Sequence, residues 1–573
     1  MRLHVAGWLS VILFSLGFTC HAQTLNSPVL ARQDLGCEKK KVSPCGTRTL
    51  FLPRSQGTNW ARRSVGYHEY IPACDGQPWG HFSFAIEYSH SMKGERLAQY
   101  LFGSNQLHFS GSQIPNRGPD DLLADNFGLA TTFQGSVAFD PRIDSIVLEG
   151  SYYLGLDLWH PGLFFLANFP LVITRWDLGL RCKESNNITS QDAPVFPEGY
   201  MSLTTTNTAA SIREALAGDF VFGDMKQPLT YGAFPCGRMH KVAVAQIDCS
   251  LGYTFFADEC SHLAALLTAV LPTGTIPSAE FVFEPIVGNG RLWEFGPGIS
   301  THCDLITVGD HHVAFHLNGV FTYQFKRFQI RSFDFIGKGA LSRYMLLKEF
   351  NEANEYAGSL INGIDFSTRR VRVGGSAKID VAAMISYYSC CWGVDIGYNI
   401  YARTKEKLRL QNDLFPAEFN RRLFGIKGTE GVYYRLLDTS TGEVTIMPTS
   451  TLNSVQNKAT IQDGSSVTNG QFIQTGIPNQ VAIAWDSPLT GMLIFAQTSE
   501  PPIVLTADSL DILSGSLPHQ LTHKFFIHLN HTFDYSYWEP QIGIGGEIEF
   551  DGRSNILSSL NQWGFWCKCS VAF

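Results

Sequence analysis

Between Arg370 and Tyr388 the side chains alternate for nineteen residues. Val371, Val373, Ile379, Val381 and Ile385 share one parity. Arg370, Arg372, Lys378 and Asp380, all four charges of the stretch, share the other. Successive side chains of a strand point to opposite faces, so one face meets something apolar and the other something wet. The run is about three times the usual strand of 5–6 residues. A short turn at Cys390-Cys391 follows. Trp392, Val394, Ile396, Tyr398 and Ile400 then oppose Asp395, Asn399 and Arg403.

The pattern recurs. Around the turn Trp159–Gly162, Leu148, Leu154 and Leu156 oppose Glu149 and Asp157. Near the end of the chain, Ile542, Ile544, Ile548 and Phe550 oppose Gln541, Glu547 and Glu549. A β-sandwich alternates too, but with short strands and more surface charge. Here charged residues are only 16%, against about 25% in ordinary soluble domains. The arms also exceed the 9–11 residues that a transmembrane strand needs. Connections alternate between very short and very long, as in outer-membrane barrels.

The first 22 residues have the form of a secretory signal. Arg2 and His4 precede an apolar run from Trp8 to Phe18, and Cys20-His21-Ala22 loosely fits a cleavage site. A lipidated Cys20 or a retained anchor are the alternatives. No later apolar run reaches 18 residues, which excludes helical membrane proteins. Acids outnumber bases 51 to 43, and no basic block argues for nucleic acid.

The last strand alternates Trp563, Phe565, Cys567, Cys569, Val571 and Phe573 with Gln562, Gly564, Lys568 and Ser570. This resembles the C-terminal assembly signal of bacterial outer-membrane barrels, with Phe573 as its terminal residue. The resemblance implies outer-membrane lipid and the outer-membrane assembly machinery as partners.

The expected fold is all-β, a transmembrane antiparallel β-barrel of about 14 strands, with 12 or 16 as alternatives and long extracellular loops. Strands are expected near 80–92, 103–112, 127–139, 145–158, 163–182, 241–255, 262–272, 291–302, 313–325, 369–388, 392–405, 521–533, 538–550 and 562–573. The division is 1–22 signal peptide, 23–79 periplasmic extension or luminal plug, and 80–573 barrel. Long-chain fatty-acid transporters of the outer membrane are similar in strand number and in having an N-terminal plug, a likeness of fold alone.

Cys20 apart, twelve cysteines remain, an even count in an exported chain. Cys37 and Cys45 are close enough to pair locally. Vicinal Cys390 and Cys391 are poorly placed to bond each other, and each could reach another chain. The abundance resembles the cysteine-rich, disulfide-linked major porins of chlamydiae.

Nothing in the sequence points to an enzyme. No phosphate loop or nucleophile elbow occurs. His312 and His316 share a parity but lie about 13 Å apart on a strand, too far for one metal ion. No cofactor is expected. The chain reads as a porin-like channel for passive transport of small solutes, lined by Arg370, Arg372, Lys378, Asp380, Asp395, Asn399, Arg403, Glu149, Asp157, Glu547 and Glu549. The alternative is a barrel-anchored surface adhesin or disulfide-linked envelope protein. Homo-oligomerisation stays open in either reading.

Overall fold

The computed structural model describes residues 47–66, 80–184, 208–258, 260–410, 422–428, 455–464, 505–533, 539–552 and 559–573. It gives backbone alone for 433–438, 444–448, 480–483 and 492–497. The signal segment, Cys37, Cys45 and Cys74 lie outside the described residues.

Twelve strands close into an antiparallel barrel. In chain order they are β1 (Gly80–Met92), β2 (Arg142–Gly155), β3 (Leu163–Asp177), β4 (Ile247–Asp258), β5 (Ser261–Leu271), β6 (Glu294–Val308), β7 (His311–Gln324), β8 (Ala377–Ser389), β9 (Trp392–Arg403), β10 (Gln520–Thr532), β11 (Glu539–Asp551) and β12 (Asn561–Ala572). Each pairs with its chain neighbour, except that residues 163–168 of β3 pair with β4 while 171–176 pair with an accessory strand, Met239–Val244. Closure joins β1 to β12, with His81 opposite Ala572. Gly80 and Phe573 exchange both backbone hydrogen bonds, at 2.8 and 2.9 Å. Every barrel strand thus has two partners, and no row of backbone donors is left at an edge.

Two of the expected fourteen strands are not in the barrel. Gln106–Ser110 and Gln134–Ala138 belong to a separate small sheet with Leu122–Leu123 and Arg181–Glu184. Gln106–Ser110 exposes Gln106 and His108 and buries Leu107 and Phe109, the same local alternation that a barrel strand shows, so the local pattern does not separate the two. The expected strand 369–388 is also two strands. Arg369–Gly374 pairs with Arg327–Arg331 and Lys407–Leu410 in a three-stranded sheet. Gly374 and Gly375, at φ 134° and 78°, break the chain before β8, using a backbone region that favours glycine.

The outward parity is apolar: Phe84, Ile86, Ile379, Ile385, Ile396, Ile527, Ile544 and Phe565 are each at least 40% exposed. The inward parity is polar and buried. An apolar outside and polar inside on a closed sheet is the signature of a barrel standing in lipid. Turns at 156–162, 309–310 and 390–391 lie at one end, and the connections at the other end are longer. Parts of 93–141, 178–246, 325–376 and 404–519 fold into a cap. Its core contains Phe109, Phe127, Phe139, Tyr344, Leu347, Ile364, Phe366 and Phe424, all buried.

Candidate functional site: a lumen filled by its own N-terminal segment

Residues 47–66 run through the lumen. Phe51 packs on Tyr100, Trp176 and Phe283 at the capped end, with ring centroids 5.5–6.5 Å apart. At the other end, the backbone N–H of Gly66 donates to Asp395 at 2.7 Å, three residues from the start of β9 at the 390–391 turn. Between them lies the helix α1 (Trp60–Ser64). Five residues cannot hold a helix in water, so the wall and its own cap hold this one. The Asn59 side chain accepts from the Arg62 N–H at 3.3 Å. The Lys568 ammonium on β12 donates to the carbonyls of Arg62, Arg63 and Val65 at 2.8–3.1 Å. A cation there satisfies carbonyls that a helix C-terminus leaves orphaned. Gly57 lets the chain pass close to the wall, since a Cβ there would lie 2.8 Å from Pro170 and 2.9 Å from Gln246.

Three arginines fasten the segment. Arg54 donates to Asp380 on β8 at 2.8 Å, to Asn399 on β9 at 2.7 Å and to Glu549 on β11 at 3.4 Å. Arg62 pairs with Glu149 on β2 at 2.6 Å and also with Glu87 on β1. Arg63 pairs with Glu149 and with Asp248 on β4, both at 2.8 Å. Asn59 bridges Glu87 and Glu547 at 3.1 and 2.9 Å. Guanidinium forks suit this work because one group can serve several carboxylates at fixed angles.

The wall by itself is acidic. Among its described buried residues it carries the carboxylates Glu87, Glu149, Asp248, Glu294, Asp380, Asp395, Glu547 and Glu549. Against these eight stand the four cations Lys378, Arg403, Lys524 and Lys568. The three arginines of the segment bring the cations to seven. Buried charge of one sign is costly unless paired, so segment and wall are electrostatic complements. Lys378 pairs with Glu294, and Lys524 with Glu547 at 2.5 Å. The void left beside Arg54, Lys524 and Glu549 is about 30 Å³, room for roughly one water.

Of the residues expected to line a pore, Lys378, Asp380, Asp395, Asn399, Arg403, Glu149, Glu547 and Glu549 are buried on the luminal face. Arg370 and Arg372 are not there. They are exposed on the strand before the Gly374-Gly375 break, with Arg370 stacked over Phe328 at 4.8 Å. Asp157 sits in the 156–162 turn, where it accepts from the Gly162 N–H at 2.8 Å. Phe573 lies at the barrel closure with its ring against Gly80. Sequence reasoning missed Glu87, Asp248, Glu294, Lys524 and Lys568, although each occupies the polar parity of its strand. No disulfide forms among the nine described cysteines. The Sγ atoms of Cys390 and Cys391 are 3.5 Å apart.

The fold and its filled lumen define the class: an outer-membrane-type β-barrel closed by its own N-terminal segment. No protein-family model and no curated protein matches the sequence. Solved structures similar in overall shape include an outer membrane channel of Pseudomonas putida F1. It is 10% identical, with 89% of this chain and all of that one covered, and a TM-score of 0.32. A FadL homologue of Pseudomonas aeruginosa is 8% identical, covering 87% and 90%, with a TM-score of 0.25. The toluene transporter TodX of Pseudomonas putida is 8% identical, covering 92% and 96%, also at 0.25. At such scores the likeness carries no argument, and the class rests on strand pairing and on the two faces.

Proposed function

We propose that the protein is an outer-membrane channel for passive transport of small solutes, gated by residues 47–66. The observation behind this reading is that the lumen is filled by a separate stretch of chain, held by ion pairs to a charged wall. A barrel serving only as an anchor can fill its lumen with wall side chains. Here eight carboxylates face inward, and three of their counter-charges reside on a segment outside the wall strands. With the segment in place, the void beside Arg54, Lys524 and Glu549 is too small for a solute, so passage at that level would require the segment to move. The long connections would face outward, as in bacterial barrels.

A second reading has its own support. The cap has an extensive core, as a barrel-anchored adhesin or structural envelope protein would require. Planar-bilayer recording separates the two. Wild type is expected to be mostly closed, and a variant carrying Arg54→Ala, Arg62→Ala and Arg63→Ala to conduct steadily. A variant that folds, judged by heat-dependent gel mobility, yet never conducts would overturn the channel and leave the anchor.

A further inference from the structure

On the outward face of the β2–β3 hairpin, chemistry changes abruptly toward the capped end. Ile146 stands opposite Ile173, then Asp144 opposite Arg175, then Arg142 opposite Asp177. Ile146 and Ile173 are 41% and 38% exposed, and Val242 on the adjoining accessory strand is 59% exposed. At about 3.4 Å per residue, Arg142 lies roughly 14 Å along the strand from Ile146. A tilt near 45° turns that into about 10 Å along the membrane normal. The charged pairs therefore stand beyond the apolar surface of Ile146 and Ile173 on the side of the capped end, where headgroups would meet them if that surface lies in the hydrocarbon.

Here the cap and the barrel rim enclose a cleft of about 320 Å³, whose lining includes Arg142, Arg181, Arg213, Arg238, Asp140 and Asp177. Arg142 and Arg181 share the single carboxylate of Asp140, at 2.6 and 3.3 Å. Arg238 pairs with Asp177 at 3.1 Å. Arg213 donates to the carbonyls of Cys236 and Leu180 at 3.3 and 3.4 Å. Four guanidiniums thus face two carboxylates, an excess of two positive charges. A phosphate monoester carries about −1.5 to −2 at neutral pH, and guanidiniums bind it through paired N–H donors.

We propose that this cleft binds a phosphate monoester on a lipid headgroup in the leaflet at the capped end. The apolar surface below it, with Ile146, Ile173 and Val242, would receive the acyl chains. That continuity favours a lipid over free phosphate, which would gain nothing from the apolar face. The inference rests on the membrane placement but not on the channel, so conductance and lipid binding can fail independently.

The test uses the folded full-length barrel in detergent, titrated with a bisphosphorylated glycolipid and followed by native mass spectrometry. The glycolipid should be retained and phosphatidylcholine should not. Inorganic phosphate at millimolar concentration should compete only weakly. The variant Arg142→Gln, Arg181→Gln, Arg238→Gln should retain glycolipid ten-fold less or weaker, with the heat-dependent gel shift unchanged. Substituting Arg370→Gln and Arg372→Gln, equally basic and exposed but outside the cleft, should change nothing. Equal retention by the cleft variant would overturn the proposal, as would phosphate binding as well as the glycolipid. Planar-bilayer recording on the same preparations reads the channel separately.

Discussion

Arg54 and Asp380 are 326 residues apart in sequence, and their side chains meet at 2.8 Å inside the barrel. The contact joins a stretch preceding the first strand to the wall of the eighth. Both side chains are almost fully buried. Removing one partner of a buried ion pair typically costs about 3–5 kcal/mol, because the other charge is left uncompensated. Arg54→Ala and Asp380→Ala should each lower stability by about that amount in folded-barrel denaturation. The double variant should fall well short of the sum, although Glu549 and Asn399 remain near the vacated position. Strict additivity would show that the pair is not coupled.

Neighbouring residues of β8 should respond oppositely to charge. Ile379 faces outward and is 41% exposed. Ile379→Arg would set a cation against lipid, costing about 2–4 kcal/mol if near the midplane, and should depress folding yield into vesicles. Lys378 faces inward beside Glu294. Lys378→Met leaves Glu294 without that partner and should cost stability, yet it should still insert. Equal insertion yields for the two variants would defeat the assignment of faces.

This inside–outside assignment was legible because period-2 alternation is a local property, readable from Lys378, Ile379 and Asp380 alone. The end of the strand was not. Arg370 and Arg372 keep the parity of Lys378, and only the positive φ at Gly374 and Gly375 removes them from the wall. A glycine pair permits such a break without requiring it. The arginines of the segment were visible as residues but not as a site. Their partners lie on β1, β2, β4, β8, β9 and β11, and closure of the barrel alone brings those together. Short cap strands such as Gln106–Ser110 were mistaken for barrel strands because they alternate in the same way, Leu107 and Phe109 buried against exposed Gln106 and His108, and alternation alone does not tell a cap from a barrel wall.

The cap should become more stable as pH rises above 7. Burial pulls the ammonium of Lys348 down to about 7 against the opposing pull of Asp224. It does the same to Lys427, also to about 7, against Asp125. In the unfolded chain both titrate near 10.5. Between about 7 and 10.5 the unfolded state therefore binds more protons, and stability climbs with pH. Below 7 these lysines contribute no further slope. Asp365, pushed up to about 6 by burial, acts in a separate window. From about 4 to 6 the folded state holds the extra proton, so stability falls as pH rises. The thermal midpoint of the cap should increase from pH 7 to 9.5, and Lys348→Met should flatten the increase. A midpoint that fell across that range would contradict the burial of these ammonium groups.

Once the segment is displaced, the lumen should prefer cations. The residues left behind are eight carboxylates and four cations. Ions in a narrow passage with low-dielectric walls respond strongly to such an imbalance. Glu547 and Glu549 both contact Lys524 on β10, at 2.5 and 3.7 Å, so one cation offsets two acids at that level. In the background with Arg54, Arg62 and Arg63 all changed to Ala, a salt gradient should give a cation-selective reversal potential. Adding Glu547→Gln and Glu549→Gln should move it toward zero. Neutralising Arg370 and Arg372 in the same background should leave it unchanged, because both side chains lie outside the lumen. An anion-selective pore, or one that answers to Arg370 and Arg372 but not to Glu547 and Glu549, would place the conducting path elsewhere.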